Sequence, residues 1–257
     1  MSHSGPGQAR NVALITGAAR RIGRKIAETL AEAGFDVALH TSARSQPDAE
    51  TLAAQLRKAG KRAMSVVADL ANAAEVAKIM PEVAAQLGPV TLLVNNASLF
   101  EPDHARNFAA ASFDVHMAVN LRAPLILASA FAAQLPAAAS GNIVNIIDQR
   151  VWRLNPTNFS YTLSKSALWT ATQTMAQAFA PCIRVNAIGP GPTVQNVRQD
   201  GAAFAREAAA TLLGHAVGDA AIAQTVLYFL AAHHVTGQMI AVDSGQHLAW
   251  ETPDVQA

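Results

Sequence analysis

Short apolar runs alternate with amphipathic stretches along almost the entire chain, and this alternation limits the folds open to it more than any other feature. Strand-like runs lie near residues 11–16, 36–41, 62–67, 90–94, 141–147, 182–187 and 238–242. Helical patterns lie between them, near 21–33, 47–59, 72–86, 111–136, 160–179 and 219–232. A strand that is followed by a helix and then by another strand rejoins the same sheet as a parallel neighbour, through a right-handed crossover. The expected fold class is therefore α/β.

The expectation is a single doubly wound Rossmann-type domain over 11–250 with a mainly parallel seven-stranded sheet, between a flexible tail at 1–10 and another at 251–257. No Pro/Gly/Ser linker or charge run divides the 257 residues. Hydrophobic residues make up 51% and charged residues 14%, against about 25% charged in an average domain. That deficit points to surface buried between subunits, so a homo-oligomer is expected, with a tetramer favoured. A net charge of +1, spread along the chain, offers no footprint for nucleic acid or an anionic membrane. Small molecules are the natural partners.

The single Cys182 excludes an internal disulfide, and residues 1–8 lack the apolar core of a signal peptide. With no unbroken apolar run of about 18 residues, a cytoplasmic protein is expected and the sequons at Asn96 and Asn158 are coincidental. The eight histidines (His3, His40, His104, His116, His215, His233, His234 and His247) show no metal-ligand spacing. They read as surface or loop residues, and no metal is expected.

In a doubly wound sheet, ligands gather at the carboxyl ends of the strands. Thr16, His40, Asp69, Asn95 and Asp148 each follow or close an apolar run. From Asn11 to Gly23 an apolar strand passes through Gly17 into a helical pattern, a turn that lets backbone N–H groups approach a pyrophosphate. Thirteen residues after Asp148 comes Tyr161, and four later Lys165, which a helix places on one face. A phenol of pKa about 10 becomes a useful acid or base near neutrality if a neighbouring cation lowers that value.

In order along the chain, Thr16-Gly17 through Gly23, Asp69-Leu70, Asn95-Asn96-Ala97, Asn120, Tyr161-x-x-x-Lys165, Gly189-Pro190-Gly191 and the closing run from Val235 to Gly245 resemble the short-chain dehydrogenase/reductases. The resemblance implies a nicotinamide-dependent oxidoreductase. In it Tyr161 exchanges the proton, Lys165 holds the cofactor ribose and lowers the tyrosine pKa, and Asn120 keeps a water in the relay. Asp69 and Asn95 are then expected beside the adenosine half. Cofactor contacts are expected from Gly17, Arg20, Arg21, Ile22, Gly23, His40, Ser42, Arg44, Ser45, Asp69, Leu70, Asn95, Ala97, Ser98, Tyr161, Lys165, Pro190, Gly191 and Thr193.

Two positions depart from the ordinary family pattern: Arg21 replaces the middle glycine of the turn, and Asp148 replaces the usual hydroxyl residue thirteen before the tyrosine. An ionised aspartate repels the oxyanion that develops in ketone reduction. Together with the run Asn95-Asn96-Ala97-Ser98-Leu99-Phe100, these departures resemble the pteridine reductases and dihydromonapterin reductases. By that resemblance Phe100 stacks on a flat heterocycle, Arg21 reaches the phosphates and the ring, and Ser98 hydrogen-bonds the cofactor or the pterin. Asp148, with its pKa raised by burial, supplies or relays a proton to a ring nitrogen. The loop after Asp148 does not match that group clearly, and Trp152 is a candidate further wall. The segment Thr193–Gly218 is expected to cover the substrate but is short.

A carboxylate closing the second strand would select NAD, yet Asp36 opens that strand, and His40, Ser42, Arg44 and Ser45 close it. A cation among hydroxyls suits a 2′-phosphate, so NADP(H) is expected. Three functional readings stay open: a pterin or dihydropterin reductase, a carbonyl (ketone or 3-oxoacyl) reductase, and a non-catalytic NADP-binding protein.

Overall fold

A computed structural model describes residues 11–193 and 200–250. Its seven strands are β1 (Val12–Ile15), β2 (Asp36–Thr41), β3 (Ala63–Val67), β4 (Val90–Asn95), β5 (Gly141–Ile146), β6 (Ile183–Pro190) and β7 (Met239–Val242). They form one sheet in the order β3-β2-β1-β4-β5-β6-β7, with every pair parallel. "Mainly parallel" thus becomes wholly parallel. The helices are α1 (Arg21–Glu32), α2 (Gln46–Lys58), α3 (Ala73–Leu87), α4 (Ala110–Met117), α5 (Ala123–Gln134), α6 (Phe159–Ala178), α7 (Gly201–Ala209) and α8 (Asp219–Ala231). The expected tails at 1–10 and 251–257 lie outside the described residues.

Helices cover both faces because strand side chains alternate across the sheet. In β1, Ala13 and Ile15 enter a core with Ile26, Leu30, Leu52, Ile222 and Phe229, while Val12 and Leu14 enter another with Val76, Ile79, Leu127, Phe131 and Met175. Phe131 and Phe229 are fully buried, one in each layer. Burial of each such side chain contributes about 1.5–3 kcal/mol. Strand order reverses between β1 and β4, so a crevice opens past their carboxyl ends.

Three boundaries differ from the sequence reading. The helix expected over 111–136 is α4 and α5 joined by one widened π turn at Ala118–Arg122, which contains Asn120. β6 runs on to Pro190, since that end pairs with Val242 at the sheet edge. The segment Thr193–Gly218 contains α7, capped by Asp200, whose side chain accepts from the Ala202 N–H; residues 194–199 of it lie outside the described residues. The stretch Ala110–Gln134 is long and apolar enough to cross a membrane by length and composition. Its Ala123, Leu127, Ala128 and Phe131 are buried in the protein core, and Asn120 and Arg122 interrupt its apolar surface.

Candidate active site

The crevice begins at a turn that only special backbone geometry permits. Gly17 has φ +66, and Arg21, where the ordinary pattern has glycine, has φ +52, a left-handed value that costs a side-chain-bearing residue energy. A Cβ on Gly23 would stand 2.2 Å from the Gly17 carbonyl oxygen and 2.5 Å from the Asn96 amide nitrogen, so α1 packs against the turn only through glycine. Asn96 donates to the carbonyls of Thr16 (2.8 Å) and Gly17 (3.2 Å), and the Thr16 hydroxyl accepts from the N–H groups of Asn96 (2.9 Å) and Ala97 (3.0 Å). Thr16 and Asn96 therefore pin β1 to β4 across the switch point. Both were absent from the expected contact set.

Asn95 belongs elsewhere. Its side chain is buried and donates to Asn145 (2.8 Å), which donates to Thr172 (2.9 Å), so it cross-braces β4, β5 and α6 instead of facing the adenosine half. The pleat decides this, because neighbours along a strand point to opposite faces.

His40 corrects two expectations. It is 2% exposed and not a surface histidine; its Nε2 lies 3.2 Å from the Ala68 carbonyl, and its Nδ1 accepts from the Gly17 N–H at 3.4 Å. Both ring nitrogens are used by protein, so the ring supports the glycine turn from behind and does not contact a phosphate. Burial lowers its pKa to about 4, against the Ala68 hydrogen bond, which raises it. His116 is also fully buried, between the Ser112 carbonyl and the Glu101 N–H.

The turn can accommodate a dinucleotide phosphate. α1 starts without a side-chain cap and without acidic residues in its first turn, leaving its N–H groups to a ligand. A cavity of about 240 Å³ beside it is lined by Ala19, Arg20, Arg21, Arg24, Asp48 and Thr51. Arg20, expected in the site, forms an exposed ion pair with Asp48. Ile22 and Leu70 turn their side chains toward the cores. Asp69 is exposed, with one oxygen accepting from the Ala71 N–H. Exposed Ser42 and Arg44 and half-buried Ser45 lie just past β2, where the turn holds no acid; Asp36, at the far end of that strand, pairs with Arg62 at 2.7 Å. Pro190 ends β6, Gly191 follows it, and the Thr193 hydroxyl donates to the Gly191 carbonyl at 2.9 Å.

The chemical centre lies past β4 and β5. Asp148 follows β5 and caps a short turn at Gln149–Val151, its Oδ1 accepting from the Arg150 N–H at 2.8 Å. Its Oδ2 accepts from the Tyr161 hydroxyl at 2.8 Å. Lys165, one turn along α6 and 2% exposed, donates from Nζ to the Ile146 carbonyl at 2.8 Å and lies 5.8 Å from the tyrosine ring centre. Burial lowers its pKa to about 8, which the Asp148 charge opposes.

Burial raises the Tyr161 pKa well above its usual value, and the Asp148 charge and hydrogen bond raise it further. The Arg150 charge is what opposes this rise, and the lowering expected from Lys165 is not found in this arrangement. Burial also raises the Asp148 pKa, opposed by Arg150, Tyr161 and Lys165. Raised pKa values on both partners favour their protonated forms, and 2.8 Å is an ordinary hydrogen-bond length along which a proton can pass.

Phe100 packs perpendicular to Tyr161 with ring centres 4.6 Å apart and remains 39% exposed. Asn120 is fully buried. Its carbonyl accepts from the Leu99 N–H (2.8 Å) and the Ser98 hydroxyl (3.3 Å), and its amide donates to the Leu99 carbonyl (2.9 Å) and Ser164 (3.0 Å). The side chain expected to hold a water is thus engaged in shaping the loop that presents Ser98 and Phe100. Trp152 is 45% exposed and packs on His247 at 5.2 Å, which itself pairs with buried Asp243 at 2.7 Å. Arg150 and His247 are further residues at this centre that the sequence reading passed over.

A family profile described as short chain dehydrogenase matches residues 11–204. The chain is similar to the FolM alternative dihydrofolate reductase 1 of Brucella canis, crystallised with NADP, at 49% identity over 96% of this chain and 98% of that one, with a TM-score of 0.93. The corresponding Brucella suis structure with NADP gives the same identity and score over 99% of its chain. A 3-oxoacyl-[acyl-carrier-protein] reductase of Staphylococcus epidermidis is 30% identical over 92% of this chain and 98% of its own length.

Proposed function

This chain belongs to the short-chain dehydrogenase family, and on that premise we propose that it is an NADPH-dependent reductase of a C=N bond in a pterin or dihydropterin. One observation carries the substrate reading: Tyr161 donates to a carboxylate, Asp148, at 2.8 Å, in surroundings that raise the pKa of both. Ketone reduction needs donors that stay neutral beside a developing oxyanion, whereas Asp148 becomes a repelling negative charge once its proton has moved on. Reduction of a ring C=N instead needs a proton at nitrogen. The 49% identity with dihydrofolate reductases, against 30% with a 3-oxoacyl reductase, supports the same choice.

NADPH, when bound, supplies the hydride. Gly17, Gly23 and the N-terminus of α1 would hold its pyrophosphate, and Arg21 and Arg44 would supply charge to its phosphates. Lys165, held at the Ile146 carbonyl, is the cation that would hold the ribose. Phe100 offers its exposed face to the flat ring of the substrate, while Ser98 and Trp152 border it. With its pKa raised by burial, the Asp148 carboxyl would take up a proton and pass it to the Tyr161 oxygen as the tyrosine hydroxyl protonates the ring nitrogen. Both oxygens stay in place and the contact reverses direction. The low share of charged residues supports a homo-oligomer; a tetramer and a cytoplasmic setting are part of the same proposal.

The test is kcat/KM for dihydrobiopterin, dihydromonapterin and a ketone panel in the wild type and in Asp148→Ser. Pterin reduction is expected to fall at least ~10²-fold, with ketone activity unchanged or improved. A wild type inactive on every pterin, with ketone turnover unharmed by the substitution, would refute the substrate reading.

A further inference from the structure

Beside the Asp148–Tyr161 pair, a third side chain is built into the centre. Arg150 reaches back over it, its guanidinium 5.6 Å from the Phe100 ring centre and 6.0 Å from that of Tyr161. Its Nε lies 4.0 Å from Asp148 Oδ1 and, though buried, makes no hydrogen bond among the described residues. Its Nη1 is held from the other side by Asn158 Oδ1 (3.2 Å), the Thr157 carbonyl (3.4 Å) and Asn155 Oδ1 (3.4 Å). Asn158 in turn has left-handed backbone angles, φ 55 and ψ 53, at the start of the helix that carries Tyr161. One cation thus ties the turn of the carboxylate to the helix start of the phenol.

We propose that Arg150 is a positioning residue for the Asp148–Tyr161 pair, fixing the carboxyl toward the phenol and balancing the negative charge left on Asp148 once its proton has moved on. This rests on the C=N reductase reading given above. The geometry separates the two tasks. Its backbone N–H orients Oδ1 at 2.8 Å, leaving Oδ2 for the tyrosine. Its guanidinium at 4.0 Å is beyond hydrogen-bond length, so it acts on the charge of Asp148 without occupying the oxygen that exchanges the proton.

The other charged groups at this carboxyl are accounted for. Lys165 and Tyr161 face it from α6. The turn at Gln246–Leu248, packed against the Asp148 turn, brings His247, which is paired with Asp243. The charge of Arg150 is the strongest influence opposing the burial that raises Asp148. Its removal therefore makes the carboxyl hold its proton to higher pH and release it less readily. Nothing is oxidised or reduced in this step: one proton leaves the Asp148 oxygen for the Tyr161 oxygen as another leaves Tyr161 for the substrate nitrogen.

The test compares wild type, Arg150→Met and Arg150→Lys. The first readout is the pH profile of kcat/KM for NADPH-dependent dihydrobiopterin reduction between pH 5 and 10. The second is an infrared titration of the carboxyl C=O band in the NADP⁺-loaded proteins, with Asp148→Asn identifying the band. For Arg150→Met, the alkaline limb and the loss of the band are expected to move up by about one pH unit, with the low-pH plateau at least ~10-fold lower. Arg150→Lys, which keeps the charge and loses the fork, is expected to hold both close to the wild-type pH. Thermal melting with NADP⁺ bound checks that both variants are folded. An unmoved band in Arg150→Met, or equal movement in Met and Lys variants, overturns the proposal. Should the wild type turn over no pterin, the substrate reading fails while the infrared titration still decides the role of Arg150.

Discussion

His40 gives the folded state a measurable acid sensitivity through a residue that touches no reacting atom. Its folded pKa is about 4, from burial, against 6.5 for a free imidazole. The unfolded chain therefore binds the proton more readily, and stability falls as pH drops through 6.5, levelling only below 4. At about 1.4 kcal/mol per pKa unit, the contribution lost between pH 8 and pH 4 is about 3 kcal/mol. The perturbation is His40→Gln, whose amide can still donate to the Ala68 carbonyl but cannot titrate. Urea unfolding of both proteins at several pH values between 8 and 4 measures the difference in stability, which is expected to shift by about 3 kcal/mol across the range in favour of Gln. Because Nδ1 also accepts from the Gly17 N–H, NADPH affinity in the wild type is expected to weaken over the same acid interval. A stability difference independent of pH would refute the buried, neutral assignment of His40.

Other perturbations follow from the same geometry. Tyr161→Phe removes the donor to Asp148 and is expected to lower kcat at least ~10²-fold in stopped-flow or steady-state assays while NADPH titrations stay near wild type; near-normal turnover would place the proton source elsewhere. NADPH is expected to bind at least tenfold tighter than NADH, a margin of about 1.4 kcal/mol, most of which Arg44→Ala should remove; equal wild-type affinities would sink the 2′-phosphate reading. Gly23→Ala sets a methyl against the Gly17 carbonyl and the Asn96 amide. Its expected cost is about 1–3 kcal/mol of stability, with weaker NADPH binding in fluorescence titration, and an unchanged melting temperature would show that the turn can yield.

The sequence alone determined the layers of this protein and the general place of its chemistry. Strand and helix periods are local properties of the chain, so β1 to β7 and most helices were readable from residue spacing, and Tyr161 and Lys165 share a helix face in any α6. Asp148 and Arg21 stood out because each puts a charge where the family pattern has none. The tertiary structure decided what depends on directions and neighbours distant in sequence. It turned Asn95 inward and placed Asn96 and Thr16, 80 residues apart, in one hydrogen-bonded clamp. It buried His40 behind Gly17, 23 residues earlier in the chain, although both had been read as ligand contacts. Only packing brought Arg150 against both Phe100 and the Asp148–Tyr161 pair, and only burial together with the neighbouring Asp148 set the tyrosine pKa in the direction opposite to that expected. Period is encoded residue by residue, whereas burial and charge at one atom are sums over every segment that folds around it.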